Sequence, residues 1–241
     1  MTTLTAPVIE SAAPRLVASS WPERWAPPFN QQPFPWTRYA SPALPGSWTA
    51  VGVGWNGDIV AQLGAQPTVP NPPYTWVDLL AGFVRDFKLG AAGWHDWVAS
   101  VRTGPISRLQ RGGVADVYAF LQVRGPGNFN SVDIQPVASN QTLSLLAGSS
   151  QFGGAILQPG QYQIRTGAYC VLQYAGSALP YAEFIGSVTS VTHYGPATSP
   201  ALAASKLDRR IQERLASDED LLLETAPPDD GSDFQLLPLE S

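Results

Sequence analysis

The sequence predicts an all-β domain: an antiparallel sandwich of eight or so strands carrying one helix, between a proline-rich N-terminal arm and an acidic C-terminal tail. Three observations predict it. Gly (22) and Pro (23) together make about 19% of the 241 residues, where about 12% is usual. Charged residues reach only 14%, against a usual level of about 25%. Between about 46 and 198, short apolar runs alternate with Gly, Pro, Asn and Ser, the punctuation of a sandwich rather than of a helical bundle.

Residues 1–45 form the arm. Nine prolines, including Pro22, Pro27, Pro28, Pro33 and Pro35, alternate there with Trp21, Trp25, Phe29, Phe34, Trp36 and Tyr39. Proline at that density forbids a helix. Disorder goes with few aromatics, whereas this segment has enough ring surface to offset the entropy of ordering. The arm is therefore expected to be extended and packed on something.

Residues 46–198 form the body. The runs Trp48–Trp55 and Asp58–Leu63 flank Asn56-Gly57, a dipeptide suited to a type I′ hairpin because both of its residues tolerate positive φ. Further strands are predicted at Trp97–Val101, Val114–Val123, Ser131–Val137, Thr142–Leu146, Gln161–Arg165, Tyr169–Tyr174 and Phe184–His193. That number suits a sandwich or a jelly roll. One helix is predicted from about Trp76 to Lys88, with Thr75 as N-cap, Asp78 three residues on and Gly90 at its end. Leu79, Leu80, Phe83, Val84 and Phe87 follow helical spacing, which leaves Arg85, Asp86 and Lys88 for solvent or a neighbour.

Residues 199–241 form the tail. Leu207, Ile211 and Leu215 recur at i, i+4 and i+8 among charged residues, the pattern of a short amphipathic helix. Residues 1–205 hold ten basic and nine acidic residues, a balance of +1, whereas 206–241 hold four and ten, a balance of −6. The tail thus sets the sign of the net charge of −5. From 217 onward the sequence reads as disordered and lacks strand or long helical periodicity. Its deletion is expected to leave folding unchanged.

Several classes of chemistry lack their residues. Ser-His-Asp and Cys-His hydrolases need an imidazole beside the nucleophile, and the chain has only His95 and His193, with no G-x-S-x-G context around a serine. Both histidines read as structural. One cysteine and two distant histidines do not make a usual zinc set, and the body carboxylates show no clustering that suits calcium. Gly52-Val53-Gly54 lies inside a strand candidate, and no G-K-[ST] follows any glycine pair, so no phosphate loop is indicated. The expectation is a protein that is not an enzyme and binds no cofactor or metal.

No run approaches the 18 or so apolar residues that span a bilayer, so membrane insertion is not expected. Cys170 has no partner for an intramolecular disulfide, and no basic region followed by an apolar core opens the chain. A reducing compartment, or indifference to compartment, follows. The arm offers only Arg15, Arg24 and Arg38 to phosphates, which limits nucleic acid to weak contacts shared among copies. Low charge with many aromatics favours a subunit whose faces are covered by copies of itself or by related chains.

After the proline-rich arm, the first hairpin, Thr75-x-x-Asp78-Leu79-Leu80, Arg111-Gly112-Gly113 before a long apolar strand, and Leu179-Pro180-Tyr181 before the last strands occur in that order over residues 45–195. In this order they resemble the jelly-roll capsid proteins of picorna-like positive-strand RNA viruses. The resemblance implies an eight-stranded antiparallel jelly roll that tiles a closed shell around the viral genome. It places the helix after Thr75 at a subunit contact, and the protein in the virion and, during assembly, in the host cytoplasm. Aromatic enrichment and helix amphipathicity nominate Trp21, Trp25, Phe29, Phe34 and Trp36 as arm anchors on a neighbour, with Arg85 and Lys88 exposed on the helix. Two other readings stand beside this one: a tail or decoration protein of a bacterial virus, and a carbohydrate-binding sandwich using Trp94 and Trp97 as sugar platforms.

Overall fold

The computed structural model describes residues 23–31, 36–67, 74–197, 221–223 and 236–238. Two antiparallel sheets form a sandwich. In chain order the strands are β1 (Glu23–Trp25), β2 (Thr37–Ala40), β3 (Ser47–Val53), β4 (Asp58–Ala65), β5 (Thr75–Leu89), β6 (Trp94–Thr103) and β7 (Ser107–Leu109). They continue with β8 (Val114–Gly125), β9 (Phe129–Pro136), β10 (Thr142–Gly148), β11 (Gly160–Tyr174), β12 (Tyr181–Ala197), β13 (Leu221–Leu223) and β14 (Leu236–Pro238). Sheet A has the order β10-β6-β12-β4-β3-β14, with β1 and β7 also paired to β12. Sheet B has the order β13-β2-β5-β11-β8-β9.

Alternation along each strand builds the core. Ile59, Ala61 and Leu63 of β4, Trp97, Ala99 and Val101 of β6, and Phe184 and Val188 of β12 face Val77, Leu79 and Phe83 of β5, Ala119 and Leu121 of β8, and Ile164 and Leu172 of β11. Cys170 lies among them, fully buried, its thiol pushed up to about 12 by desolvation. At that value it stays protonated and unreactive.

The predicted helix at Trp76–Lys88 is a strand, and the described residues contain no α-helix. A strand buried on both faces reads as a continuous apolar run, which periodicity alone does not separate from a helix. Here Val77, Leu79, Ala81 and Phe83 enter the inter-sheet core, while Leu80 and Val84 join a second apolar cluster on the outer face of sheet B. Asp78 caps nothing; its carboxylate accepts a 3.0 Å hydrogen bond from the Tyr169 hydroxyl. Strand geometry also separates Arg85 from Lys88. Arg85 is buried and Lys88 is exposed, because odd and even positions of a strand face opposite sides.

Two predicted strands, Gln161–Arg165 and Tyr169–Tyr174, are one fifteen-residue strand, β11. Gly167 faces Gly82 across the β5–β11 ladder, and a Cβ on Gly82 would stand 2.2 Å from the Thr166 carbonyl oxygen. At Asn56-Gly57 only Gly57 has positive φ, and its N–H donates to Gly54 O at 3.0 Å. The turn is thus a type I turn closed by a left-handed glycine rather than type I′. The tail, expected to lack strands, pairs both sheets: β13 joins β2 and β14 joins β3.

The arm folds back onto its own chain. Trp25, Phe29 and Trp36 are 2%, 0% and 1% exposed, which corrects their expected use as anchors on a neighbour. Their rings form a chain from Phe83 to Phe29 (4.7 Å), Trp36 (5.4 Å), Trp25 (5.9 Å) and Phe87 (5.6 Å). The Arg85 guanidinium lies 4.4 Å from the Trp25 ring centroid and 6.0 Å from that of Trp36. Trp21, Phe34 and the amphipathic stretch Leu207–Leu215 lie outside the described residues.

Because these indoles fill the sandwich's own end, Trp25→Ala or Trp36→Ala is expected to lower the stability of the isolated chain by about 3–5 kcal/mol. Urea unfolding followed by circular dichroism measures it; a wild-type midpoint in both variants would refute the packing role.

Candidate functional site

Two ends of the sandwich differ in chemistry. At one end lie the starts of β5, β8 and β12 and the close of β7 and β11, with Trp48, Tyr74, Leu109, Val114 and Leu179 exposed. Pairing holds them together: Tyr181 faces both Gly64 and Leu109, Gln173 faces Val114, and Tyr174 faces Thr75. Trp48 stacks on Tyr181 at 5.7 Å, the Tyr74 hydroxyl donates to Gln173 Oε1, and Leu179 N–H donates to Arg111 O at 3.3 Å. Five large apolar side chains therefore crown one pole, an arrangement suited to contact with another protein surface.

The opposite end holds the arm's aromatic chain and, at its rim, both histidines. Sequence places His95 and His193 far apart; the β6–β12 ladder, with His193 opposite Trp97, brings them together. His95 Nδ1 and His193 Nε2 are 3.0 Å apart, with the rings stacked at 5.2 Å. His95 Nε2 lies 3.1 Å from the Ala91 carbonyl oxygen. A carbonyl only accepts, so His95 carries its proton on Nε2 and its Nδ1 accepts from His193 Nε2–H. The backbone of His95 is fixed by two bonds to Ser149: its N–H donates to Ser149 Oγ (3.0 Å), and its carbonyl accepts from Ser149 N–H (2.9 Å). Trp97 and Phe87 stand 4.9 Å and 4.8 Å from the His193 ring.

Burial, and then the neighbouring His95, push His193 down to about 3. His95 also lies below the ordinary imidazole value, since burial outweighs the Ala91 carbonyl and Asp96, which act the other way. The pair is neutral at pH 7. No serine hydroxyl hydrogen-bonds either imidazole among the described residues; Ser150 Oγ donates instead to Asp96 Oδ2 at 2.6 Å. Among the described residues no three His, Cys, Asp or Glu side chains cluster in a way that could hold a metal ion. The pair's chemistry is that of a proton-sensitive packing element.

Beside it, on the outer face of sheet B, a groove of about 570 Å³ is lined by Asp86, Arg124, Asn128, Asn130, Gln161 and Gln163, with Tyr162 and Phe129 at its base. A hollow of about 400 Å³ adjoins it, lined by Glu23, Arg85, Asp86, Phe87, Lys88 and Gln161. Arg85 and Lys88, nominated as interface residues on one helix face, thus meet at this hollow from opposite sides of a strand. The Arg85 guanidinium is lowered from its ordinary value by burial, with Glu23 opposing. Of the tryptophans nominated as sugar platforms, Trp97 is fully buried and Trp94 half-buried, which removes Trp97 from that role. Sequence reasoning missed the histidine pair and the groove because both arise from strand register.

The class that fold and site define is a two-sheet antiparallel β-sandwich with an apolar pole and an aromatic, histidine-bearing pole. No protein-family model matches the sequence, and no curated protein aligns with it significantly. No helix among the described residues is long and apolar enough to cross a membrane.

Depressed imidazole values mean the unfolded chain binds protons more readily than the folded one. The pair's contribution to stability is therefore complete above the ordinary histidine value of about 6.5 and is lost as pH falls toward 3. Between those two values the slope for His193 approaches about 1.4 kcal/mol per pH unit, and His95 acts in the same direction. Asp133, raised by burial, works in the opposite direction, so the comparison is made between wild type and His193→Gln. Urea midpoints at pH 7 and pH 5 should fall further in wild type than in the variant; equal slopes would exclude the histidine pair as the acid-labile element.

Proposed function

We propose that this chain is a capsid subunit of jelly-roll type that self-associates into a shell around a viral genome. One observation carries the reading. Setting aside β3, which extends sheet A beyond β4, and the short strands, the eight strands β4, β5, β6, β8, β9, β10, β11 and β12, ranked one to eight along the chain, fall in the orders 1-8-3-6 in sheet A and 2-7-4-5 in sheet B. Nesting the first strand beside the last and the second beside the seventh supports a jelly-roll reading, the fold of many viral capsid and lectin domains. The apolar pole at Trp48, Tyr74, Leu109, Val114 and Leu179 favours a subunit of an assembly over a solitary binding module. A body charge near neutral suits a shell that touches nucleic acid weakly and leaves neutralisation to counterions. Virion and host cytoplasm are the corresponding locations.

The polar groove lined by Asp86, Asn128, Asn130, Gln161 and Gln163 favours a second reading, a sandwich that binds a hydroxyl-rich ligand, since amides and a carboxylate hydrogen-bond hydroxyls.

Electron microscopy of the purified full chain with light scattering separates the two. Closed particles of uniform diameter are expected, and Tyr74→Asp with Leu179→Asp should reduce them to monomers with an unchanged melting temperature. A wild-type chain that stays monomeric and binds a glycan saturably would overturn the capsid reading, and rings or fibres would point to a tail or decoration protein.

A further inference from the structure

The outer face of sheet B is buried where a two-layer sandwich should be wet. Tyr39, Leu80, Phe120 and Tyr169 are 0% exposed, with Val171 and Val84 also buried. They lie side by side in the ladder: Tyr39 opposite Gly82, Gly167 opposite Phe120, Leu80 opposite Tyr169, Asp78 opposite Val171. Among the described residues, every member of this cluster belongs to sheet B itself. A single sheet does not remove its own outer surface from water, so a third layer covers it.

We propose that this face is the docking site of the chain's own segment 206–217, laid across β5, β11 and β8. Chain geometry singles the segment out. Residues preceding β1 lead into sheet A, since Trp25 pairs with Val191 of β12. The segment between β12 and β13 starts at the end of sheet A and finishes at the edge of sheet B, where Leu221 pairs with Ala40. Its 23 residues, 198–220, can span about 70 Å when extended, ample for a crossing between layers that stand about 10 Å apart. The gaps at 32–35 and 68–73 are too short to cover a sheet face, and 224–235 joins β13 to β14, the edge strands of the two sheets.

Composition fits the face. Leu207, Ile211 and Leu215 form one apolar stripe, about 12 Å long in a helix, which matches the roughly 10 Å from β5 to β8. Lys206, Arg209, Arg210 and Arg214 flank the stripe together with Asp208 and Glu213, four basic against two acidic residues, a balance of +2. On the sheet, Asp78 and Asp116 flank Val171, at the level from which the chain runs into β13. Asp78 is 1% exposed and accepts from the Tyr169 hydroxyl, and two acidic side chains at one level of the sheet favour a basic segment beside them. Nothing in this proposal depends on shell assembly.

Photo-cross-linking on the full chain tests it. With p-benzoylphenylalanine in place of Ile134, at the border of the cluster, a cross-link to a peptide within 199–220 at monomer mass is expected. Leu207→Gln with Ile211→Gln and Leu215→Gln should abolish that cross-link and raise bis-ANS fluorescence several-fold. If the triple variant does not fold, the cross-link in the otherwise native chain decides alone. Cross-linking to residues 1–22, to a second copy at dimer mass, or to nothing would overturn the assignment.

Discussion

The close approach of β5 and β11 at Gly82 and Gly167 is the constraint on which the rest of the molecule depends. A Cβ on Gly167 would stand 2.1 Å from the Ala81 carbonyl oxygen, so a side chain at either position would push the two strands apart. Without one, the ladder runs unbroken from Leu89 opposite Gly160 to Thr75 opposite Tyr174. This long pair is the middle of sheet B. It carries the inter-sheet core on one side and a second apolar layer on the other, and so gives a two-sheet sandwich two buried surfaces.

At one end of that pair, Arg85 turns inward under the arm. Its guanidinium lies against Trp25 and near Trp36, an arrangement in which a delocalised cation loses less on leaving water than an ammonium would. The arm is held there by Phe83 and Phe87 of β5, and His193 closes the stack against Phe87 and Trp97. A neutral imidazole pair completes this end only while unprotonated, since two imidazoliums would set N–H against N–H across 3.0 Å. Packing at the aromatic pole and the chain's response to acid are thus one property.

The two poles divide the labour that the capsid reading assigns. The apolar pole is made of strand ends and turns fixed by main-chain pairing, so its exposed rings sit on a rigid base, as an anchor surface requires. The aromatic pole is closed in part by the chain's own arm, with the polar groove beside Tyr162 and the exposed side chains of Phe152, Ile156 and Tyr194 open there. An amphipathic segment over the outer face of sheet B would give the subunit a third layer.

Local sequence determined much of this. Apolar alternation marked the strands from Trp97 onward, and Gly, Pro and Asn marked their ends, because each depends on a few neighbouring residues. Ring content likewise showed that Trp25, Phe29 and Trp36 need burial. What only the tertiary structure decided is which surface buries them, whether Trp76–Lys88 winds as a helix or extends as β5, and that His95 meets His193. Leu79, Leu80, Phe83 and Val84 satisfy a helix face and a strand buried on both sides equally well, and only the neighbours β2 and β11 resolve that ambiguity. Register between strands remote in sequence is set by the packing of the whole sandwich, and no local pattern encodes it.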